Sequence, residues 1–495
     1  MLIRTVTALF LSVPYLPPAP AEPVSTIDAV VEAYREAARI PGIAVAVVQG
    51  DRIVHAAGYG QDAAGEPVTA RTVLPIASLS KSVTARAVME LVEAGRVRLD
   101  EPVREQLPEF TMADDRAATI TVRQLLDHTS GMSDQTYQSF SGPPLHSLRE
   151  AVASMRDARL AADPGSRFEY HNPNYQVAAR LVEVASGQSF DAYLREHVFG
   201  PLGMTDSRTI GTPDELDPPG PGHRMIAGLA VALPEPPSFG NGSGGVLSTA
   251  TDMAAWLIAQ QRWPRPTGSY SLGWNAGTTQ SGAPLIDHTG GLVTITAYQA
   301  LLPAQGYGIA IMANAGSQYG DAPDLGDRLI ALLEGREVPA PPGSGSAILL
   351  DAGVLLAGAV PMIMVARRIR RPGARGWLRT PRWLPTTGWL PIRGWGARFQ
   401  TRGWLRVRAW LRLLPHLVPI LLLAMLDRVV SVLYRGMDIS WVQAIYLFPS
   451  FTVLLVVTAL ASAVALGAGL RAMRAGRSHR QGSAATPAAL GTEQS

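Results

Sequence analysis

The sequence predicts an α/β (α+β) chain: an antiparallel sheet flanked by helices, with a mainly helical insertion, followed by C-terminal transmembrane helices. Three observations predict it. Paired apolar strand patterns stand near both ends of residues 22–338, helical periodicity fills the stretch between them, and long charge-poor runs follow a Pro/Gly/Ser-rich linker at 339–346. The 495 residues include no cysteine, which excludes a disulfide framework, a thiol nucleophile and thiolate metal sites. The nine histidines form no HExxH or HxxxH pair, and neither a metal nor another cofactor is expected.

Taken in order, the chain opens with Arg4, an apolar run over 6–16 and then Ala19-Pro20-Ala21, which reads as a secretory signal over residues 1–21 cleaved after Ala21. A retained N-terminal anchor is the alternative. A helical pattern covers 26–40, and apolar runs at 43–48 and 53–57 around Gln49-Gly50-Asp51 predict a β-hairpin. Helical stretches at 78–94, 122–127 and 174–185 dominate the insertion over 78–260. A second strand pair at 292–302 and 307–312 around Ala304-Gln305-Gly306, with a helix near 324–333, is expected to join the first hairpin in one sheet. Together these form one domain over 22–338.

Beyond the linker, residues 347–366 carry a single charge, Asp351. Twenty residues at 1.5 Å each span about 30 Å, one bilayer core. A run at 441–470 is free of charge, whereas 413–434 is interrupted by Pro415, His416, Pro419, Asp427 and Arg428 and could be a span or a re-entrant helix. Charge is divided sharply: residues 1–350 hold 36 acidic and 24 basic side chains, and 351–495 hold 4 and 19. The loop 367–412 has 13 arginines and no acid, and the tail 471–495 adds Arg471, Arg474, Arg477 and Arg480. Three spans would put both on the cytoplasmic side of a cell membrane and the first domain outside. The loop also carries six of the ten tryptophans, with Trp377, Trp383, Trp389 and Trp395 spaced by six and Trp404 to Trp410 repeating the step. Such a juxtamembrane repeat points to membrane lipids as partner rather than nucleic acid.

Chemistry begins at Ser78-Leu79-Ser80-Lys81, a serine at a helix start with a lysine three residues on, so both share one helix face. A serine hydroxyl needs a base, and a desolvated lysine can be the neutral amine that serves. Lys81 is the only lysine in the chain; the 42 other basic residues are arginine, which cannot be deprotonated in a protein. Two further pieces are Tyr170-His171-Asn172, ahead of a helix, and His288-Thr289-Gly290-Gly291, entering the strand expected from Leu292.

In this order the three pieces resemble the motifs of the active-site serine family that joins class C β-lactamases, serine DD-peptidases (penicillin-binding proteins) and related esterases. The resemblance covers about residues 25–335 and includes Leu125-Leu126-Asp127-His128-Thr129-Ser130-Gly131-Met132 and Gly244-Gly245-Val246-Leu247-Ser248-Thr249, to which no catalytic role is given. It implies the β-lactamase/DD-peptidase-like fold and acyl transfer through Ser78, with Lys81 and Tyr170 sharing the proton work. It further implies Asn172, His288, Thr289 and Gly290 as substrate-binding residues, and the backbone N–H groups of Ser78 and Gly291 as the oxyanion hole. A phenolate at Tyr170 would need a lowered pKa, which a Lys81 cation could supply. His288 stands where many β-lactamases have lysine, a departure that argues against efficient β-lactam hydrolysis. The expected substrate is a small-molecule or peptidoglycan-like acyl donor, met by a D-alanyl-D-alanine carboxypeptidase-like enzyme. A small-acyl esterase of the same family is the alternative, and a catalytically silent ligand sensor is the alternative of another class.

Overall fold

The computed structural model describes residues 26–216, 222–263, 268–316, 320–369, 414–434 and 436–482. The expected signal segment, the Arg/Trp repeat beyond residue 369 and the tail beyond 482 lie outside the described residues.

Helix α1 (Ile27–Ala38) starts where Thr26 Oγ1 accepts the Ala29 N–H at 3.2 Å. Strands β1 (Gly42–Gln49) and β2 (Arg52–Gly60) form the expected hairpin. Helices α2 (Ser80–Glu93), α3 (Val122–Leu126), α4 (Pro173–Ser186) and α5 (Ala250–Gln260) belong to the insertion. The chain then returns through β3 (Tyr270–Ser271), β4 (Trp274–Thr278), β5 (Pro284–Gly291), β6 (Thr296–Leu302) and β7 (Tyr307–Ala313) to α6 (Ala322–Leu333). All seven strands form one antiparallel sheet in the order β2-β1-β7-β6-β5-β4-β3, so the two ends of the domain meet where β1 pairs with β7.

Burial on both faces explains why β1 is apolar almost throughout. Ile43, Val45 and Val47 face α1 and α6 with Ile309, Ile311, Leu325 and Leu329. Ala44, Ala46 and Val48 face the other way, toward Leu257 of α5, Val83 and Val88 of α2 and the rest of the helical region.

One expectation needs correction. His288-Thr289-Gly290-Gly291 does not approach a strand beginning at Leu292; it is the end of β5, and 292–295 is the turn into β6. The Glu235 carboxylate pins that turn, accepting the Val293 and Thr294 N–H groups at 2.7 and 2.9 Å and the Thr294 hydroxyl at 2.6 Å.

After the domain comes α7 (Gly345–Ile369), whose apolar part, Ile348–Met364, is shorter than a full span. Helices α8 (Leu417–Ala424) and α9 (Leu426–Leu433) take the place of the run at 413–434, and the helical stretch Leu414–Ala424 meets α9 at a bend of 70°. The run at 441–470 is two helices, α10 (Trp441–Leu447) and α11 (Pro449–Gly482). Phe448 sits at φ −131°, ψ 62°, because the following proline pushes it out of the helical region. Among the described residues one helix, Pro449–Ala468, is long and apolar enough to cross a membrane, and the bent pair would be a second if it counts as one span. Of the three expected spans, one corresponds to a helix long and apolar enough to cross a membrane, one to a bent pair and one to a shorter apolar helix.

Candidate active site

Ser78 lies in a 3-10 turn, Ala77–Leu79, that runs directly into α2. Ala77 holds φ +49°, a left-handed conformation costly for a residue with a Cβ. Its neighbours fix it there. The Ile76 N–H donates to Val246 O at 3.0 Å, the Ser80 hydroxyl donates to Ala77 O at 2.6 Å, and Ser80 Oγ accepts the Val246 N–H at 3.0 Å.

One helical turn on, Lys81 is completely buried. Its Nζ is 3.1 Å from Ser78 Oγ and donates to Ser243 O at 2.7 Å. Burial alone pushes its ammonium well below the usual lysine range, since no charge partner offsets it. In its uncharged form, with one N–H directed at Ser243, the amine has a lone pair that can accept the Ser78 proton.

Tyr170 reaches the same oxygen from the loop before α4, its hydroxyl donating to Ser78 Oγ at 2.9 Å, and its ring centroid is 4.8 Å from Lys81 Nζ. Burial pushes the Tyr170 phenol up, and the Asp134 charge adds to this, while the hydrogen bond to Ser78 opposes it. Both directions run against a Lys81 cation stabilising a Tyr170 phenolate. Burial thus favours the uncharged form of both the amine and the phenol.

Asn172 immediately precedes α4, and its side chain makes no capping hydrogen bond. Lys81 Nζ donates to the Ser243 carbonyl and lies beside Ser78 Oγ, with no hydrogen bond from Asn172 among the described residues. Strand β5 brings the third group alongside. A Cβ on Gly290 would stand 2.7 Å from Ile76 O and 3.2 Å from Ala77 Cβ, so only glycine lets this strand lie against the serine turn. Next to it Gly291 is exposed, with open space around its Cβ position, and Thr289 is exposed as well.

His288 is buried, 4% exposed. Nδ1 is 2.7 Å from Thr289 O and Nε2 is 3.2 Å from the Tyr270 hydroxyl, so Nδ1 carries the proton and Nε2 accepts. Burial, with the Lys81 charge second, pushes its pKa down to about 3. The imidazole supplies no fixed positive charge.

Sequence reasoning missed three contributors. Ser243 acts through its backbone carbonyl, on a loop that α2 also holds where the Thr84 hydroxyl donates to Gly242 O at 2.6 Å. His128, at φ +54°, packs its ring 4.4 Å from that of Tyr170 and 5.1 Å from those of Tyr175 and Tyr270. Its Nδ1 accepts the Asn174 amide at 3.0 Å, and burial keeps it neutral. Tyr270 closes the cluster against His288. The only advance signals were the Gly-rich run at 244–249 and the stretch 125–132, which local structure alone could explain. No group of three or more His, Asp or Glu able to hold a metal occurs among the described residues.

The family model described as Beta-lactamase matches residues 27–334. Protein flp of Staphylococcus aureus (strain MW2) is 27% identical over 318 residues, 59% of this chain and 63% of its own length. The chain thus spans less than two thirds of that relative. Penicillin-binding protein 4 of Amycolatopsis lactamdurans is 31% identical over 353 residues, covering 63% of this chain and 91% of that protein. Among solved structures, the octameric penicillin-binding protein homologue from Pyrococcus abyssi aligns with a TM-score of 0.54 at 25% identity, over 67% of this chain and 80% of its own. The D-amino acid amidase from Ochrobactrum anthropi aligns over 62% of this chain and 99% of its own, with a TM-score of 0.51 and 22% identity, and shares the fold.

Proposed function

Since the chain belongs to the beta-lactamase family, we propose that it is a membrane-anchored serine hydrolase that forms an acyl-enzyme on Ser78, of penicillin-binding, D-alanyl-D-alanine carboxypeptidase-like character. The observation that carries this reading is the convergence of Lys81 Nζ and Tyr170 Oη on Ser78 Oγ, at 3.1 and 2.9 Å.

Lys81, a neutral amine, takes the Ser78 proton as Oγ bonds to the acyl carbon. The oxyanion falls to the N–H groups of Ser78 and Gly291, a contribution often worth about 3–4 kcal/mol per donor. Tyr170, still protonated, gives its proton to the leaving group and regains one from the Lys81 ammonium. Water then cleaves the acyl ester, its proton returning to Ser78 by the reverse path. Asn172 and Thr289 would hold the substrate through neutral hydrogen bonds.

His288 favours a second reading. Many carboxylate-binding β-lactamases have a lysine there, and a neutral imidazole suits small-acyl esters or amides that lack a carboxylate.

For the membrane arrangement, with the catalytic domain outside and the arginine-rich segments inside, support comes from residues 436–440, which link α9 to α10. Asp438 there accepts the N–H groups of Phe140 and Ser141, which fits a link on the same side as the catalytic domain. The arginines of 367–412 and of the tail then fall on the other, as their charge requires.

The test is intact mass spectrometry of the full chain in detergent, wild type and Ser78→Ala, mixed with benzylpenicillin while both protein and drug are followed. A lasting adduct that needs Ser78 supports the peptidase, and drug loss without an adduct makes it a β-lactamase. Intact drug with Ser78-dependent turnover of a small acyl ester makes it an esterase. Ligand binding with no Ser78-dependent hydrolysis on any ester or peptide refutes the enzyme and leaves a silent sensor.

A further inference from the structure

The link between the C-terminal helices does more than touch the domain. Asp438 is 8% exposed, and its carboxylate accepts three hydrogen bonds from one turn of the catalytic domain. Oδ2 takes the Phe140 and Ser141 N–H groups at 2.6 and 2.8 Å, and Oδ1 takes the Ser141 hydroxyl at 2.6 Å. Its own N–H donates to Asp134 Oδ2 at 3.3 Å. The other oxygen of Asp134, Oδ1, is 2.7 Å from Nδ1 of His171, whose side chain is wholly buried. His171 follows Tyr170, the residue whose hydroxyl meets Ser78 Oγ.

The link is itself held from both helices. The Ser431 hydroxyl of α9 donates to Met437 O at 2.7 Å, and the Gly436 N–H donates to Ser431 O at 2.8 Å. On the far side Ser440 and Gln443 form a reciprocal capping box at the start of α10. A change in how α9 and α10 sit therefore moves Asp438, and Asp438 has two routes to the active site: the 134–141 turn and the Asp134–His171 pair.

We propose that Asp438 is a positioning residue, through which the ends of the C-terminal helices set the placement of Tyr170. The proposal rests on the serine-hydrolase reading for its catalytic consequence, though not for its geometry. Asp438 supplies three charge-assisted hydrogen bonds to Phe140 and Ser141, at the end of the 134–141 turn, from outside the domain. Misplacing a reacting group by about 1 Å costs on the order of 100-fold in rate, so loss of Asp438 is expected to slow acylation of Ser78 by about 10- to 100-fold.

The experiment compares the full chain in lipid nanodiscs as wild type, Asp438→Ala and Asp438→Asn. A fluorescent penicillin and a fluorophosphonate label Ser78 over a range of concentrations, which resolves the limiting acylation rate from the initial binding step. Hydrogen–deuterium exchange is followed over 134–141 and 168–174. In Asp438→Ala, exchange is expected to rise in both segments and the limiting rate to fall with initial binding little changed. Asp438→Asn keeps an oxygen that can accept from Phe140 and Ser141 and is expected to recover part of the rate. Unchanged exchange over 168–174, or a wild-type acylation rate in Asp438→Ala, overturns the proposal. If wild type takes neither label, the hydrolase reading is what fails, and exchange over 168–174 alone decides whether Asp438 positions Tyr170.

Discussion

Replacing Lys81 by methionine separates what this residue does for the reaction from what it costs the fold. The side chain is fully buried, desolvation is the sole cause of its depressed pKa, and its partners are two oxygens, Ser78 Oγ at 3.1 Å and Ser243 O at 2.7 Å. Methionine keeps the volume and removes the proton acceptor, so acylation is expected to fall by about 10³-fold, or ~4 kcal/mol of barrier. Stability should move the other way, by about 1–3 kcal/mol, because a buried amine that prefers to be charged gives way to a thioether. The gain has a defined pH dependence. The folded pKa of Lys81 lies below the unfolded value near 10.5, so between the two the unfolded chain binds the extra proton and wild-type stability climbs with pH. The methionine variant's advantage is therefore full below the folded pKa and shrinks as pH rises toward 10.5. Denaturant unfolding of both proteins from pH 6 to 10.5, beside acylation rates with a fluorescent penicillin, measures both effects. A variant that is less stable than wild type, or whose advantage is flat with pH, would refute the buried neutral amine.

Tyr170→Phe should lower acylation by about 100-fold while keeping a rate that rises with pH as Lys81 loses its proton. If that limb vanishes in stopped-flow profiles, the phenol and not the amine is the base. Gly290→Ala places a methyl 2.7 Å from Ile76 O and 3.1 Å from Ala297 Cβ. It should cost about 1–3 kcal/mol in denaturant unfolding and slow acylation through the Ser78 turn. Glu235→Ala strands the two backbone donors and the hydroxyl that its carboxylate holds at the β5–β6 turn. A loss of about 2–3 kcal/mol is expected, and a variant as stable as wild type would show that turn to be held otherwise.

The sequence made the first hairpin and the last strand pair legible because β1, β6 and β7 are buried along most of their length and mainly apolar, with Gln299 the one polar residue inside β6. Strand β5 was not, since Asp287-His288-Thr289-Gly290-Gly291 has no apolar alternation; pairing with β6 and β4 and the approach to Ala77 make it a strand. Ser78 and Lys81 stood out by residue type and spacing and Tyr170 through the family resemblance, and the structure brings the three together. Ser243 could not, because a backbone carbonyl leaves no mark on residue identity, and His128 depends on a left-handed backbone and on three aromatic neighbours remote in sequence. The C-terminal runs were found by hydropathy, which is blind to backbone geometry; hence one run was read across Phe448-Pro449, where the helix breaks.

What unites the site is that burial acts on the ionisable groups around Ser78 and always toward the uncharged form. Lys81, His128 and His288 are pushed down, and Tyr170, Tyr175 and Tyr270 are pushed up. Burial around Ser78 therefore disfavours opposed charges that would hold the pocket rigid or attract an anion from solution. Charge appears only as the reaction proceeds, when the Ser78 proton moves to Lys81 and the acyl oxygen becomes negative. The positive charge then forms on the buried Lys81, where its attraction to the oxyanion acts at lower effective dielectric than in water. Such a site gains its rate from geometry fixed in advance. A small displacement of Tyr170 then matters more than any single surface charge, and the hydrogen-bonded route from Asp438 to His171 would give the C-terminal helices their hold on that displacement.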